Sequence, residues 1–197
     1  MLTEARAIAL LMLFTVVAGF SVHREALTLT VCTQDCEYRT LNEAIAAAPN
    51  GALILLKAGN YQENLVIEKS ITIRGQGSDK VFIKSAATRG ALIQVRGESK
   101  VHLENLTLIG GLIGIELRDQ SHAVVRHTRL VNHVRGVAIV SDAQATLERN
   151  EFRGVACAIW SEHTNFSLHG RSNLIIPQNQ GKEVCGAAER LPLGFKS

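Results

Sequence analysis

The sequence predicts an all-β protein, a single-stranded right-handed parallel β-helix of about four to five coils that begins with a short capping helix. Three observations lead to this fold class. Between Leu92 and Leu174, apolar residues recur about every 22 residues, a period typical of stacked units. Within each repeat they form short alternating pairs separated by Gly, Asp, Ser, Asn and His, which indicates short strands and turns. No amphipathic helix fits between these pairs, which excludes leucine-rich and two-helix repeats.

Residues 1–21 are predicted to be a signal peptide or an uncleaved N-terminal anchor. The run AIALLMLFTVVAGF is uninterrupted and apolar, and it follows a short polar start that carries Arg6. Its length suits the hydrophobic region of a signal peptide better than a membrane span, which needs ~20 apolar residues. Glu4 cancels the charge of Arg6, which weakens the positively charged start of a signal peptide, so an uncleaved anchor remains an alternative. We expect a secreted, periplasmic or cell-surface protein that meets a membrane only through an uncleaved N-terminal segment.

Four cysteines in an exported chain are usually disulfide-bonded. Cys32 and Cys36 are close enough for a small local loop, and Cys157 with Cys185 would then tie the tail to the last coil. Two other pairings remain open. A metal site at the first pair is not favoured, because no second cysteine pair of matching spacing and no histidine cluster accompanies it.

A short helix is predicted to close the N-terminal end of the stack, where an open coil would expose the core and unpaired backbone. The segment Thr40-Leu41-Asn42-Glu43 has the form of a capping box. Apolar residues follow at helical spacing until the Pro49-Asn50-Gly51 stop. The first coils, between Leu53 and Ala91, are irregular, and the sequence gives no register for them.

The regular coils place four columns of side chains inside the helix, because equivalent residues of successive coils stack at the strand spacing of about 4.8 Å. A fifth column reads Leu108, Leu130 and Phe152 and ends at Asn173. The four full columns are Ile93, Ile115, Val137 and Ala158; Val95, Leu117, Ile139 and Trp160; Val101, Ala123, Ala145 and Phe166; and Leu103, Val125, Leu147 and Leu168.

Outward positions test this register independently of the apolar ones. The residues after the Leu103 column alternate in charge or polarity from coil to coil: Glu104, Arg126, Glu148 and His169. At another outward position Arg129 is followed by Glu151. Opposite charges stacked in this way attract by a few tenths of a kcal/mol on an exposed face. The charges therefore have a structural explanation.

The C-terminal end is predicted to be a cap that starts at about residue 176 within a single β-helix domain of residues 22–197. Trp160 and Phe166 fall in inward columns and are expected to plug the last coil. The 197 residues are 46% hydrophobic but only 5% aromatic, which indicates an aliphatic core. The net charge of +3 is spread along the chain without a basic stripe, so no nucleic-acid partner is expected.

Three stretches resemble the opening of pectin methylesterases and their relatives in the pectin-lyase-like superfamily: Tyr38 to Gly51, Leu56 to Asn64, and Ser70 to Gly77. The coils that follow resemble the repeats of NosD-like and other parallel β-helix repeat proteins. The resemblance covers about residues 30–175 and implies the right-handed β-helix fold. It also implies a structural role for the G-x-Y-x-E segment, here Gly59 to Glu63.

The departures from these families bear on activity. The chain has no counterpart to the glutamines, the paired aspartates of the D-F-I-F-G-like segment or the arginine of the L-G-R-P-W-like segment of the esterases. The aspartate set of polygalacturonases and the arginines of pectate lyases are also missing. The resemblance therefore implies no pectin-processing activity for any residue of this chain.

The turn after the Val95 column is the place where chemistry would occur. The catalytic candidates in and near this turn are Asp119, Asp142, Glu162 and His163, and the binding candidates are Arg96, Arg118 and His122. Carboxylates one or two coils apart would lie ~5–10 Å from each other, which spans the separations that glycosidases use. The same oxygens could bind a sugar or Ca²⁺, although no cofactor or metal is expected and a polar turn is normally polar because it faces water.

Two classes of function follow. The first is an exported non-catalytic module whose exposed strand faces and turns bind an extended polysaccharide or a protein partner. The missing catalytic sets favour this class. The second is a small hydrolase or lyase that acts on an acidic polysaccharide through the turn carboxylates.

Overall fold

The structure is a computed structural model and describes residues 26–163 and 167–187. Over these residues the chain winds as a parallel β-helix with three strand faces and one short helix. All strand pairs in the stack are parallel, as the repeat predicts. Among the described residues no helix has the length and apolar character needed to cross a membrane. The leader expected over residues 1–21 lies outside the described residues.

The first face is a sheet of seven strands: β1 (Thr28–Val31), β2 (Leu53–Leu56), β5 (Thr72–Gly75), β8 (Lys100–Glu104), β11 (His122–Arg126), β14 (Gln144–Glu148) and β16 (Ser167–Arg171). The stack therefore has about seven turns, more than the four to five expected. The difference arises in residues 26–91, which contribute coils whose register the sequence did not give.

The second face contains β3 (Gly59–Gln62), β6 (Val81–Lys84), β9 (Thr107–Ile109) and β12 (Arg129–Val131). The third face contains β4 (Leu65–Ile67), β7 (Ala91–Val95), β10 (Ile113–Leu117) and β13 (Arg135–Ile139). The long strand β15 (Glu151–Ser161) runs along both faces and joins them into one ten-stranded sheet. The last strand, β17 (Leu174–Gly186), pairs with β15, so the segment expected to begin a cap continues the stack in parallel register.

The stacking of equivalent residues is confirmed in the regular coils. Leu103 lies opposite Val125, and Val125 lies opposite Leu147, all fully buried. Inward side chains from Leu29 to Ile159 form one continuous hydrophobic core that is almost entirely aliphatic. Each coil thus contributes a layer that only its neighbours can bury.

The last repeat is shifted from its predicted columns. Val137 lies opposite Ile159 rather than Ala158, and Ile139 lies opposite Ser161 rather than Trp160. The prediction that Trp160 plugs the core is therefore wrong, because this side chain falls on an outward position. Phe166 lies outside the described residues. Leu168 stacks on Ala145, one column away from its expected place on Leu147.

A ladder of buried polar side chains explains why an apolar column ended at Asn173. That column continues instead with Ile175, which lies opposite Phe152. Asn173 belongs to a neighbouring inward position, where its Oδ1 accepts hydrogen bonds from the backbone N and the Nδ2 of Asn150 at 3.0 and 3.1 Å. Asn150 in turn accepts from the backbone N of Thr128 at 3.0 Å. The ladder satisfies backbone groups at this corner of the coil.

The predicted alternation of outward charges is confirmed and extends further than expected. Arg74, Glu104, Arg126, Glu148 and Arg171 lie in one row across five strands of the first face. Arg126 Nε lies 2.8 Å from Glu148 Oε2, and Arg171 Nε lies 3.2 Å from Glu148 Oε1. Arg171, not His169, therefore takes the last place in this row. The predicted pair of Arg129 and Glu151 is also confirmed, with 3.3 Å between Nε and Oε2.

The N-terminal helix α1 (Leu41–Ala47) is confirmed with its capping box. The Thr40 side chain accepts from the backbone N of Glu43 at 3.2 Å, and the Glu43 side chain accepts from the backbone N of Thr40 at 3.2 Å. Leu41, Ala44 and Ile45 are buried against the first coil. The helix therefore closes the end of the core.

Both predicted disulfides are present. Cys32 and Cys36 have their Cα atoms 5.7 Å apart, and Cys157 and Cys185 have theirs 6.3 Å apart. The second bridge joins β15 to β17 and so ties the last strand to the coil beneath it. No described cysteine is free.

Candidate functional site

The turn that joins the third face to the first repeats one backbone conformation. Gly97, Asp119 and Ser141 occupy equivalent places in successive coils and have positive φ angles of 70°, 59° and 60°. The Asp119 Oδ2 accepts a hydrogen bond from the backbone N of Gly97 at 2.8 Å. Asp side chains tolerate this left-handed conformation and commonly bond to nearby backbone in turns. This carboxylate therefore links two stacked turns.

Three carboxylate residues line a shallow groove along these turns. The groove measures about 410 Å³, and its walls include Glu98, Asp119 and Asp142 together with Gln120 and Ser141. The structure thus brings two of the four catalytic candidates to one place. It adds Glu98, which lies in the first regular coil and was not among the predicted site residues. The constant 22-residue spacing of Glu98, Gln120 and Asp142 is a signal that could have identified it.

The other two catalytic candidates lie elsewhere. The backbone N of Glu162 donates to the carbonyl of Ile139, which places Glu162 beside Val140 rather than in the Asp119 column. Its Oε2 lies 3.8 Å from His163 Nε2, and both side chains are about half exposed. Neither residue lines the groove. The predicted grouping of Asp119, Glu162 and His163 is therefore not formed.

Both predicted binding arginines take part in a polar network on the exterior of the third face. Arg118 donates to both carboxylate oxygens of Glu116, from Nε at 3.0 Å and from Nη2 at 3.1 Å. The side chain of Gln94 donates to the same carboxylate, and Arg96 Nε donates to Gln94 Oε1 at 2.7 Å. Four side chains are thereby held in a fixed array over two coils.

The network keeps Glu116 ionised. Burial would raise the pKa of this carboxyl, but the hydrogen bonds from Arg118 and Gln94 and the charges of Arg118 and Arg96 outweigh burial and hold the pKa below its ordinary value. The strand residue Glu116 is only 7% exposed. The sequence reasoning missed it because it stands inside an apolar strand pattern.

Trp160 stands in the same outward column as this network. The column runs through Gln94, Glu116, Ala138 and Trp160 in successive coils. The guanidinium carbon of Arg135 lies 4.0 Å from the centre of the Trp160 ring, a cation–π contact. An aromatic ring and an ordered set of planar polar groups therefore share one exterior surface, which we call the third-face surface (Gln94, Arg96, Glu116, Arg118, Arg135 and Trp160).

His122, the remaining binding candidate, faces out from the first face and takes no part in the third-face surface. Its Nε2 lies 3.3 Å from the hydroxyl of Thr146. Burial lowers its pKa, and so do the neighbouring charges of His102, Lys100 and His169. Among the described residues, no group of three or more His, Cys, Asp or Glu side chains is placed to hold a metal ion.

Comparison with known proteins supports the fold more than the function. No family model matches the chain. A cell surface glycoprotein from Methanothermus fervidus is 26% identical over 129 residues, which cover 64% of this chain. The chain spans only 21% of the length of that protein.

Solved structures of similar shape are carbohydrate-active enzymes. A pectin methylesterase in complex with a hexasaccharide superposes with a TM-score of 0.54 at 14% identity, over 79% of this chain and 68% of that one. Pectin methylesterase PemA from Erwinia chrysanthemi gives a TM-score of 0.46 at 14% identity, over 70% and 56% of the two chains. The family PL6 alginate lyase AlyGC gives 0.48 at 12% identity, over 82% and 39%. By its architecture and its superposition on the first of these enzymes, this chain has the pectin-lyase-like parallel β-helix fold.

Proposed function

We propose that this chain is a non-catalytic module of the cell exterior that binds an extended polysaccharide along the third-face surface. The observation that carries the proposal is the outward position of Trp160 in one column with the ordered network around Glu116. Aromatic faces pack on the apolar faces of sugars, while planar polar groups bind hydroxyls. Groups already held in place lose little freedom on binding.

The stack suits a long ligand. Equivalent side chains of successive coils are spaced at about 4.8 Å, so one exterior surface offers contacts at regular intervals along the helix axis. The pectin methylesterase of similar fold was solved in complex with a hexasaccharide, so this architecture can hold an oligosaccharide. That ligand belongs to that protein.

An extracellular location is supported by three features. Both pairs of described cysteines form disulfides, which persist mainly in oxidising compartments. The similar protein from Methanothermus fervidus is a cell surface glycoprotein. The apolar segment at residues 7–20 fits export as well.

The geometry of the candidate carboxylates favours binding over catalysis. Asp119 is engaged by the backbone of Gly97, and Glu162 and His163 lie half exposed on a separate coil. A general acid or base works best when a fixed geometry directs it at the substrate and water is excluded. The carboxylates here stand on open turns at a corner of the helix, and two of the four candidates lie outside the groove.

The proposal is tested with the purified full chain and a panel of neutral and acidic polysaccharides. We expect retention of at least one polysaccharide with no release of products, and a loss of about tenfold in affinity for Trp160→Ala, the usual effect of removing a stacking aromatic anchor. Phe82→Ala is the matched control, because Phe82 is a half-buried aromatic residue that faces out from the second face. Equal losses in the two variants would contradict binding at the third-face surface.

A hydrolase or lyase is the second candidate function, favoured by the groove that brings Glu98, Asp119 and Asp142 together. Turnover of an acidic polysaccharide that disappears in Asp142→Asn would establish this alternative. Retention without turnover in both proteins would support the binding module instead.

A protein partner is the third candidate. Leu112 and Val134 lie in register at the edge of the third face, and they are 42% and 49% exposed. Adjacent exposed apolar side chains favour contact with another protein. Loss of partner binding in Leu112→Ser, with polysaccharide binding intact, would support this role.

A further inference from the structure

A second groove lies at the N-terminal end of the first face, away from the third-face surface. It measures about 290 Å³ and crosses β1, β2 and β5, where the outward residues Thr30, Leu55 and Arg74 lie side by side. Leu55 gives the groove an apolar floor. Lys57 and Gln76, which follow β2 and β5, stand at its end.

The groove presents cationic groups that the fold does not fully use. Arg74 pairs through its Nε with Glu104 Oε2 at 2.8 Å, which leaves its terminal guanidinium nitrogens as donors. Lys57 is exposed, and its ammonium group forms no ion pair with any residue that the structure describes. None of the described residues that line the groove is a carboxylate, although Glu104 beside it balances part of the charge of Arg74. Lys57 therefore gives the groove a net positive charge.

A third donor is oriented by the backbone. Gln76 Oε1 accepts a hydrogen bond from the backbone N of Ala58 at 3.1 Å. This bond fixes the side-chain amide, and Gln76 Nε2 donates to no other residue in the described part of the chain. The amide nitrogen of Gln76, like the hydroxyl of Thr30, is therefore available to an incoming group.

These groups match one chemical class of ligand. An apolar floor suits the C–H face of a sugar ring, and an amide and a hydroxyl suit its hydroxyls. The two cationic side chains, Lys57 and Arg74, suit an anionic substituent, because ammonium and guanidinium groups form their strongest hydrogen bonds with ionised oxygens. Small-molecule pockets commonly begin near ~300 Å³, so the groove has room for only one or two sugar units.

We propose that this groove binds an anionic sugar residue, with its carboxylate or sulfate group held between Lys57 and Arg74 and its ring over Leu55. The inference rests on the proposed function and adds to it the charge of the polysaccharide and a second site of attachment. The groove and the third-face surface lie on different faces and share no residue. Their contributions can therefore be separated by mutation.

Three oligosaccharide probes test the charge requirement by calorimetry: tetragalacturonate, its fully methyl-esterified form, and a sulfated galactan tetrasaccharide. We expect the wild-type chain to bind at least one anionic probe about tenfold more tightly than the ester, as the loss of one charge-assisted hydrogen bond predicts. The carboxylate and sulfate arms identify which anion is preferred. Equal affinity for all three probes would overturn the proposal.

Variants locate the site. Lys57→Met is expected to lower the affinity for the preferred anionic probe about tenfold and to leave the affinity for the ester unchanged. Lys84→Met is the matched control, because Lys84 is an exposed lysine on the second face. Arg74→Met should act in the same direction, and its melting temperature reports any effect of losing the contact with Glu104. An unchanged affinity in Lys57→Met would overturn the proposal.

The outcomes separate this inference from the proposed function. If Trp160→Ala abolishes binding of a polysaccharide while Lys57→Met does not, the proposed anion site in the groove is wrong, and the proposed binding module is supported. If the wild-type chain binds neither the anionic probes nor any polysaccharide of the panel, both are wrong. If only the anionic probes bind, and Lys57→Met weakens them, the groove is supported.

Discussion

The carboxylate of Glu63, 22 residues along the chain from Leu41 and in the first coil, caps the N-terminus of helix α1. Its Oε1 accepts from the backbone N of Leu41 at 2.8 Å, and its Oε2 accepts from the backbone N of Asn42 at 3.0 Å. At the other end of the helix, Lys69 Nζ donates to the carbonyls of Ile45, Ala46 and Ala48 at 3.0, 2.8 and 2.9 Å. Two charged side chains of the coil thus satisfy free backbone groups at both helix ends and complement the helix dipole.

This relationship confirms the structural role implied for the segment from Gly59 to Glu63. Tyr61, in the middle of that segment, donates from its hydroxyl to the carbonyl of Lys57 at 2.7 Å, while its ring is buried in the core. Glu63 then binds the helix. The segment therefore attaches the cap to the first coil.

Glu63→Gln is expected to lower the free energy of unfolding by about 1–2 kcal/mol, because the neutral amide has one acceptor oxygen in place of two and loses the favourable interaction with the helix dipole. Urea denaturation measures the change. Glu68→Gln is the matched control, because Glu68 is exposed and forms only a long ion pair, with 3.7 Å between its Oε1 and Arg96 Nη1, among the described residues. A loss no larger than that of the control would show that Glu63 does not hold the cap.

Asn150→Leu is expected to cost about 2–4 kcal/mol of unfolding free energy, because it leaves several buried polar groups without partners. Asn150 Nδ2 donates to the carbonyl of Val125 at 2.9 Å, and its Oδ1 accepts from the backbone N of Thr128. Asn60→Leu, at an exposed position of β3, should change stability by less than about 0.5 kcal/mol. Similar denaturation midpoints for the two variants would contradict a structural role for the ladder.

Stability is expected to fall in mild acid because of His133. Its ring is 2% exposed, Nε2 lies 3.2 Å from the carbonyl of Leu108, and Nδ1 has no partner among the described residues. Burial lowers the pKa of His133 below its ordinary 6.5, despite the nearby carbonyls of Leu108, Gly110 and Gly111, which act to raise it. The unfolded chain therefore takes up this proton first, so the unfolding free energy decreases as the pH falls below 6.5.

Replacement of the imidazole ring of His133 tests whether this residue causes the pH dependence of stability. His133→Leu should flatten the dependence of stability on pH between pH 6.5 and the lowered pKa of the folded state. The lowered pKa of His122 acts with the same sign, so a residual slope should disappear in the double variant His122→Gln, His133→Leu. A wild-type slope in the double variant would contradict the assignment.

The charge row of the first face predicts a salt-dependent defect for Glu148→Arg. The change places an arginine between Arg126 and Arg171 and removes the carboxylate that both contact. We expect a lower melting temperature at low ionic strength that partly recovers in about 1 M salt, where charges are screened within about 3 Å. Glu98→Arg, at an exposed turn outside this row, should show little salt dependence of stability. The same salt response in both variants would exclude a role for the row.

The fold could be predicted because most regular coils keep one length. Arg126 and Glu148 are in contact 22 residues apart, as are Gly97 and Asp119. In contrast, Arg74 and Glu104 are in contact 30 residues apart, because the turns of the early coils carry extra residues. A period can be recognised only where turn length is constant, so the early register required the structure.

The error at Trp160 has a different cause. The prediction aligned Trp160 with Ile139, 21 residues earlier, whereas in the structure this strand keeps the 22-residue spacing and Ser161 lies opposite Ile139. An apolar Trp next to the correct Ile159 gave no sign of the shift, because either residue is acceptable in a core column. The same shift placed Glu162 one column away from its predicted partners.

The candidate site was only partly predictable. Asp119, Asp142, Arg96 and Arg118 lie near their expected positions because the turns between the third and first faces keep their register. Glu116 and Arg135 were not identified, because a polar side chain that lies flat on a sheet gives no distinctive sequence signal. The contacts of Glu116 with Arg118 and of Arg135 with Trp160 depend on side-chain conformations, which a sequence pattern does not give.

The fluorescence of Trp160 tests the central claim most directly, because this is the one tryptophan of the chain and it lies on the third-face surface. Polysaccharides of the panel are titrated into the wild-type protein while the same samples are assayed for released products. We predict a saturable change in tryptophan emission for a bound polysaccharide and no products. A polysaccharide that binds without any change in emission, or one that is cleaved, would contradict the account.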